Sequence, residues 1–174
     1  LKPPPRLGRI FLLFFRLFLS FMDAIRFTRE EIVWQEVPNE VSLAFLISGC
    51  PLRCPGCHSS DSWRVGNGQE LDEEYLRSRL LRYQGLLTCV LFLGGEWLPE
   101  RLLPLLRLVR GMGLNTCLYT GYERDELPPV LLPELTYLKT GRWQPSLGGL
   151  EQADTNQRFT DLRTGEVLNH LFRK

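Results

Sequence analysis

Short, continuous apolar runs recur along this chain, each ended by glycine or a polar turn, and stretches with apolar residues at helical spacing lie between them. The runs at 41–47, 88–93, 114–120 and 135–139 are too short for helices and predict buried strands. Between the first two, Asp72 is placed to cap a helix with Glu73 and Glu74 in its first turn. Leu76, Leu80 and Tyr83 follow at helical spacing, and Gly85 sits at the stop. A second helix is predicted from Pro99, a good first-turn residue, with its apolar face over 102–109, a distortion at Pro104, and Gly111 and Gly113 at its end. Residues 63–71, with Gly66, Asn67 and Gly68, predict an irregular connection, and residues 125–132 a short, proline-interrupted helical segment. Apolar strands alternating with helices indicate a mostly parallel sheet buried on both faces. Right-handed crossovers curl such a chain into an open, partial (β/α) barrel, since a closed eight-stranded barrel takes about 250 residues. No internal repeat or linker interrupts the pattern, so a single α/β domain over 22–174 is expected.

Composition narrows the function classes. The 174 residues are 44% hydrophobic and 24% charged, enough for one domain with a core. A net charge of +1 gives no electrostatic footprint for nucleic acid. Five cysteines, three clustered and two in apolar runs, fit a reducing compartment, the cytoplasm, better than a disulfide scaffold.

Residues 1–21 differ from the rest. A Pro-rich, basic start precedes an almost wholly Leu, Phe and Ile run at 10–21, broken by Arg16. That run is short for a transmembrane helix of about 20 residues, and no small-residue cleavage site follows it. Met22 opens a stretch that reads as an ordinary start. The expectation is that residues 1–21 are non-native or disordered and that no membrane is engaged.

The chemistry concentrates after the first apolar run. Cys50, Cys54 and Cys57 stand in C-x3-C-x2-C spacing on one short segment. Cubane clusters take four cysteines when fully ligated, so three thiolates leave one iron open, the mark of a reacting centre rather than a structural one. A zinc site needs a fourth ligand; His58 is adjacent to Cys57 and badly placed for the same ion, and His170 stands alone. An odd count of clustered cysteines argues against disulfides. A second feature, Gly94-Gly95-Glu96, follows the next strand. Ligands bind at the carboxyl ends of strands in open α/β sheets, so the two features are expected to share a pocket. Glycine permits close backbone approach to a ligand. Tyr119-Thr120-Gly121-Tyr122 ends another strand and is either pocket lining or a plain turn. Cys89 and Cys117, inside apolar runs, read as inert buried thiols, and Trp63 as packing on the cysteine loop.

The cysteine spacing resembles the radical S-adenosylmethionine superfamily. The longer string from Gly49 to Trp63 is similar to glycyl-radical-enzyme activases. Tyr119-Thr-Gly-Tyr122, Leu138-Lys-Thr-Gly-Arg142, Gly148-Gly-Leu150 and Thr155-Asn-Gln-Arg-Phe159 resemble the branch that activates anaerobic ribonucleoside-triphosphate reductase. The likeness runs from about Glu36 to the C-terminus. It implies a partial barrel of the radical SAM type, with Cys50, Cys54 and Cys57 holding a [4Fe–4S] cluster. Gly56, Cys57 and His58 would lie against S-adenosyl-L-methionine, and Gly94, Gly95 and Glu96 at its methionine end. No catalytic residue beyond the cluster and cofactor is implied. The implied reaction is reductive cleavage of S-adenosylmethionine to a 5′-deoxyadenosyl radical that takes hydrogen from a glycine of the partner reductase. A low-potential donor such as flavodoxin or ferredoxin would supply the electron. Two departures from the pattern stand out: Trp97 replaces a usual proline, and Pro38-Asn39 stands for Pro-Gly; Gly56 occupies a place that is aromatic in many of the superfamily but commonly glycine in this activase group. A radical SAM enzyme acting on a small molecule, for instance a deazapurine synthase, and a non-catalytic iron–sulfur or zinc module remain alternatives.

Overall fold

The computed structural model describes residues 24–173; the expectations for residues 1–21 lie outside them. One eight-stranded sheet runs through the described chain in the order β3-β1-β2-β4-β5-β6-β7-β8. Its strands are β1 (Arg26–Val33), β2 (Ser42–Ile47), β3 (Gln69–Glu70), β4 (Cys89–Leu93), β5 (Asn115–Tyr119), β6 (Tyr137–Thr140), β7 (Arg158–Asp161) and β8 (Glu166–Val167). The four expected strands are there as β2, β4, β5 and β6, paired parallel as the centre of the sheet.

The edges depart from the expectation of a mostly parallel sheet. β1 pairs antiparallel with β2 and β3, and β7 antiparallel with β6 and β8, so the sheet is mixed. Antiparallel neighbours need only short connections, whereas parallel ones need a crossover. The chain therefore spends its helices on the centre and its turns on the edges.

Two helices cross between the parallel strands, α1 (Glu73–Arg82) and α2 (Pro99–Gly111). The Asp72 side chain accepts from the Tyr75 N–H at 2.7 Å, the cap expected from the sequence. α2 runs on through Pro104, which donates no bond to the Glu100 carbonyl. The segment expected to be helical at 125–132 forms only 3-10 turns, Arg124–Glu126 and Leu132–Glu134, because Pro128, Pro129 and Pro133 remove donors.

Both helices pack on one face of the sheet. There Leu76, Leu80, Leu102, Leu105 and Leu106 meet Leu43, Phe45, Val90, Phe92, Leu118 and Leu138. Phe45 lies edge-on to Phe27 at 5.2 Å and stacked near Phe92 at 6.2 Å. The other face is covered by non-helical chain: Ala44, Leu91, Cys117, Tyr137 and Phe159 pack with Val37 and Leu150. Among the described residues no helix is long and apolar enough to cross a membrane.

Leu106 is fully buried between α2 and the sheet. Leu106→Ala is expected to lower unfolding free energy by about 2–5 kcal/mol in urea titration. Leu86→Ala, at a site 67% exposed, is expected to stay within about 0.5 kcal/mol of the parent.

Candidate metal and cofactor centre

The cysteine loop leaves β2 under tight backbone control. Ser48 N donates to the Arg26 carbonyl at 2.8 Å and Ser48 Oγ to the Asn67 carbonyl at 2.8 Å. Gly49 takes φ +90° and donates to the Ser62 carbonyl at 2.7 Å. Arg53 and Gly56 are both left-handed, at φ 46° and 69°, and the Cys57 N–H closes on the Cys54 carbonyl at 3.1 Å. A residue with a Cβ pays for φ > 0, so Arg53 is held there by the loop's closure. These turns bring Cys50, Cys54 and Cys57 to one side, each half-buried and unbridged. Ser59 N–H already donates to Cys57 Sγ at 3.4 Å.

All three thiols line one cavity of about 190 Å³. Its far wall is the carboxyl ends of β4, β5 and β6: Leu93, Gly94, Glu96, Tyr119, Thr120 and Lys139. The strand-end expectation holds, since both sequence features open on the same space. Gly94, at φ +94°, donates to the Tyr119 carbonyl at 2.9 Å. A Cβ on Gly94 would stand 2.5 Å from the Trp97 ring, and one on Gly95 3.1 Å from Ile25 Cδ1. Trp97, the departure from the usual proline, thus packs its six-membered ring against the glycine turn and becomes a cavity wall.

Of the residues expected to contact a cofactor, Cys57, Gly94 and Glu96 line the cavity. Gly95 backs onto Ile25 and Ile47 behind it. Gly56 and His58 are exposed on the outer side of the loop, with the His58 ring 4.8 Å from Trp143. Cys89 and Cys117 are fully buried in the core on the face away from the helices, where burial pushes the Cys89 thiol up to about 12 and Cys117 well above its ordinary value.

Glu96 is 2% exposed. Its Oε1 accepts from Thr120 Oγ1 at 2.5 Å, while its buried Oε2 has no partner among the described residues. Burial drives its carboxyl up to about 7, with the Thr120 bond and the Lys139 charge pulling the other way. Lys139 is pushed down to about 8 by burial, opposed by Cys54 and Cys57. Its ammonium donates to the Gly141 carbonyl at 3.1 Å. Burial also raises the Cys50 thiol, against backbone bonds from Leu52 and Arg53 that lower it. Tyr119 and Lys139 face a second groove too, of about 300 Å³, with Glu36, Leu150, Gln157 and Phe172; the Tyr119 hydroxyl donates to the Glu36 carbonyl.

Lys139 and Trp143 were not singled out from the sequence. Lys139 had two signals available, a cation ending an otherwise apolar run and its place in the Leu138–Arg142 segment. Trp143 lies in a loop after β6 and had none.

The donor set fits a cubane better than one ion. Among the described residues no three His, Cys, Asp or Glu groups converge tightly enough on a single metal. A cubane instead spreads its cysteines over separate iron corners, which three thiols on one loop can reach. Glu96 Oε2, buried and without a partner among the described residues, is an acceptor that a donor on a bound ligand would satisfy.

Comparison with known proteins agrees. A family model described as a 4Fe-4S single cluster domain matches residues 40–158. The chain is 41% identical over 90 residues to the pyruvate formate-lyase-activating enzyme of Clostridium pasteurianum, covering 48% of this chain and 38% of that protein. It is 31% identical over 94 residues to the anaerobic ribonucleoside-triphosphate reductase-activating protein of Escherichia coli strain K12, covering 47% of this chain and 58% of that one. The chain spans less than two thirds of the length of these relatives.

A carboxyl raised by burial stabilises fully at low pH, and its contribution is lost as pH rises through its folded-state value. The metal-free protein is therefore expected to lose thermal stability as pH rises from about 5 to about 8 through Glu96 ionisation. Glu96→Gln should flatten that slope; parallel curves for the two proteins would remove Glu96 as its source.

Proposed function

The chain belongs to the 4Fe-4S single cluster domain family, and we propose that it is a radical S-adenosylmethionine activase that generates a glycyl radical on anaerobic ribonucleoside-triphosphate reductase. One observation carries this reading: three thiols with an incomplete ligand count share a cavity with a buried, half-satisfied carboxylate and a partly buried ammonium. Cys50, Cys54 and Cys57 would hold a [4Fe–4S] cluster by three of its four irons, leaving the fourth for the sulfonium cofactor. When bound, that cluster supplies the single electron that cleaves the sulfonium.

The chain's own residues bind, orient and exclude water. Glu96 and the Gly94–Gly95 turn would receive the ammonium of the methionine portion, and Lys139 its carboxylate; opposite charges on one wall match a zwitterion. Leu46, Leu93, Trp97 and Tyr119 make the remaining surface apolar. Low water content strengthens these charge contacts. The open sheet, read as a partial (β/α) barrel in a single domain over 22–174, leaves one side for a loop of a macromolecular substrate. The target is supported by the motifs from Tyr119 to Phe159 and by the larger share of the reductase-activating relative that is matched. A flavodoxin- or ferredoxin-like donor and a reducing, cytoplasmic setting follow from the chemistry.

Two measurements test the proposal. Reconstituted protein, reductant, S-adenosylmethionine and the reductase should give a glycine-centred doublet in electron paramagnetic resonance; cofactor cleavage with no doublet would move the substrate to a small molecule. Separately, Cys54→Ala should abolish S-adenosylmethionine cleavage, while Cys89→Ala should leave it within about twofold, as expected of an inert core thiol. Equal losses would contradict the assignment of ligands.

A further inference from the structure

Beyond β6 the chain does not leave the site. Residues 141–149 form a strap that lies back across the cysteine loop. Gly141, at φ +95°, donates to the Tyr122 carbonyl at 3.2 Å, and a Cβ there would stand 2.8 Å from the Asn156 carbonyl oxygen. Asn156 Nδ2 donates to the Arg142 carbonyl at 2.9 Å and Thr155 Oγ1 to the Gly148 carbonyl at 3.3 Å. Leu147 and Gly148 N–H both turn back on the Gln144 carbonyl. Thr155 and Asn156 thus fasten the strap from the chain leading into β7.

The fastened strap carries Trp143 to the cavity wall. The indole meets the cysteine loop at Gly56: a Cβ on Gly56 would lie 3.6 Å from Trp143 Nε1 and 3.2 Å from Pro145 Cγ. Trp143 Nε1 is buried and has no hydrogen-bond partner among the described residues. A buried N–H left unpaired costs about 1–3 kcal/mol, so a donor kept in that condition at a ligand cavity marks an acceptor that arrives with the ligand. Of the residues lining the cavity the other orphaned group is Glu96, whose Oε2 lies at the end of β4 beside the Thr120 bond, whereas Trp143 stands on the strap against Gly56 of the cysteine loop. The two orphans therefore serve different ends of the space. Glu96 accepts and calls for an ammonium. Trp143 donates beside a flat aromatic surface and calls for a heteroaromatic ring with an unprotonated nitrogen.

We propose that Trp143 is a positioning residue for the nucleoside half of the sulfonium cofactor, its indole N–H donating to a purine ring nitrogen, with Thr155 and Asn156 holding the strap in place. The inference rests on the functional reading above. The purine is the one flat heteroaromatic group in that cofactor.

The test is anaerobic calorimetry on the cluster-reconstituted full chain with three probes: S-adenosyl-L-homocysteine, 5′-deoxyadenosine and L-methionine. Trp143→Phe, which keeps a ring and loses the donor, should bind both adenosine-containing probes about five- to tenfold more weakly, the worth of one hydrogen bond. Methionine affinity, iron and sulfide content and the cluster's midpoint potential should not change. Asn156→Ala, which loosens the strap, should give a smaller loss with the same selectivity. Equal weakening of methionine would overturn the proposal in favour of general packing. A shifted midpoint potential with nucleoside affinity intact would give the N–H to the cluster instead. Failure of the unsubstituted protein to bind any of the three probes would overturn the functional reading itself and this inference with it.

Discussion

Parallel pairing of β2, β4, β5 and β6 places four strand ends side by side, and each end must turn immediately. The backbone groups freed at those turns, and the side chains that follow, have nowhere to go but one shared space. β2 releases the cysteine loop, β4 the Gly94–Glu96 turn, β5 Thr120, and β6 Lys139 and the strap. The register across Leu46, Leu93 and Tyr119 fixes how far apart those groups stand. Helices confined to the opposite face supply most of the apolar burial. The site face is consequently free to carry groups that a core would not tolerate.

That freedom has an electrostatic cost. Burying ionisable groups disfavours their charged forms, as the shifts at Glu96, Lys139 and Cys50 show. Their signs are complementary, with an acid pushed up and a base pushed down in the same cavity. Neither is fully compensated by the other: Glu96 leans on Thr120 and Lys139 on a backbone carbonyl. A polypeptide alone leaves this wall under-satisfied, which is the condition expected of a surface shaped for a charged ligand.

Much of this was legible in the sequence, and the parts that were not share a cause. Central strands announced themselves because burial on both faces demands unbroken apolar runs, as at Leu43–Ile47 and Cys89–Leu93. The Asp72 cap was readable because a cap is a local device. β1 was missed since its sequence, RFTREEIV, sets charges on an edge that solvent can reach. β7 and β8 are short and polar, and only pairing with β6 and with each other makes them strands. At the site, the cysteines and glycine turn carry spacing that chemistry imposes. Trp143 reaches the cavity only through bonds from Thr155 and Asn156, a long-range arrangement with no local trace.

The cavity and the neighbouring groove share two lining residues, Tyr119 and Lys139. Tyr119 is pinned at its hydroxyl to the Glu36 carbonyl, and the Lys139 ammonium donates to the Gly141 carbonyl and lies 6.0 Å from the Tyr119 ring centre. Tyr119 and Lys139 line both spaces, so a substitution at either reshapes the outer groove and the thiol cavity together.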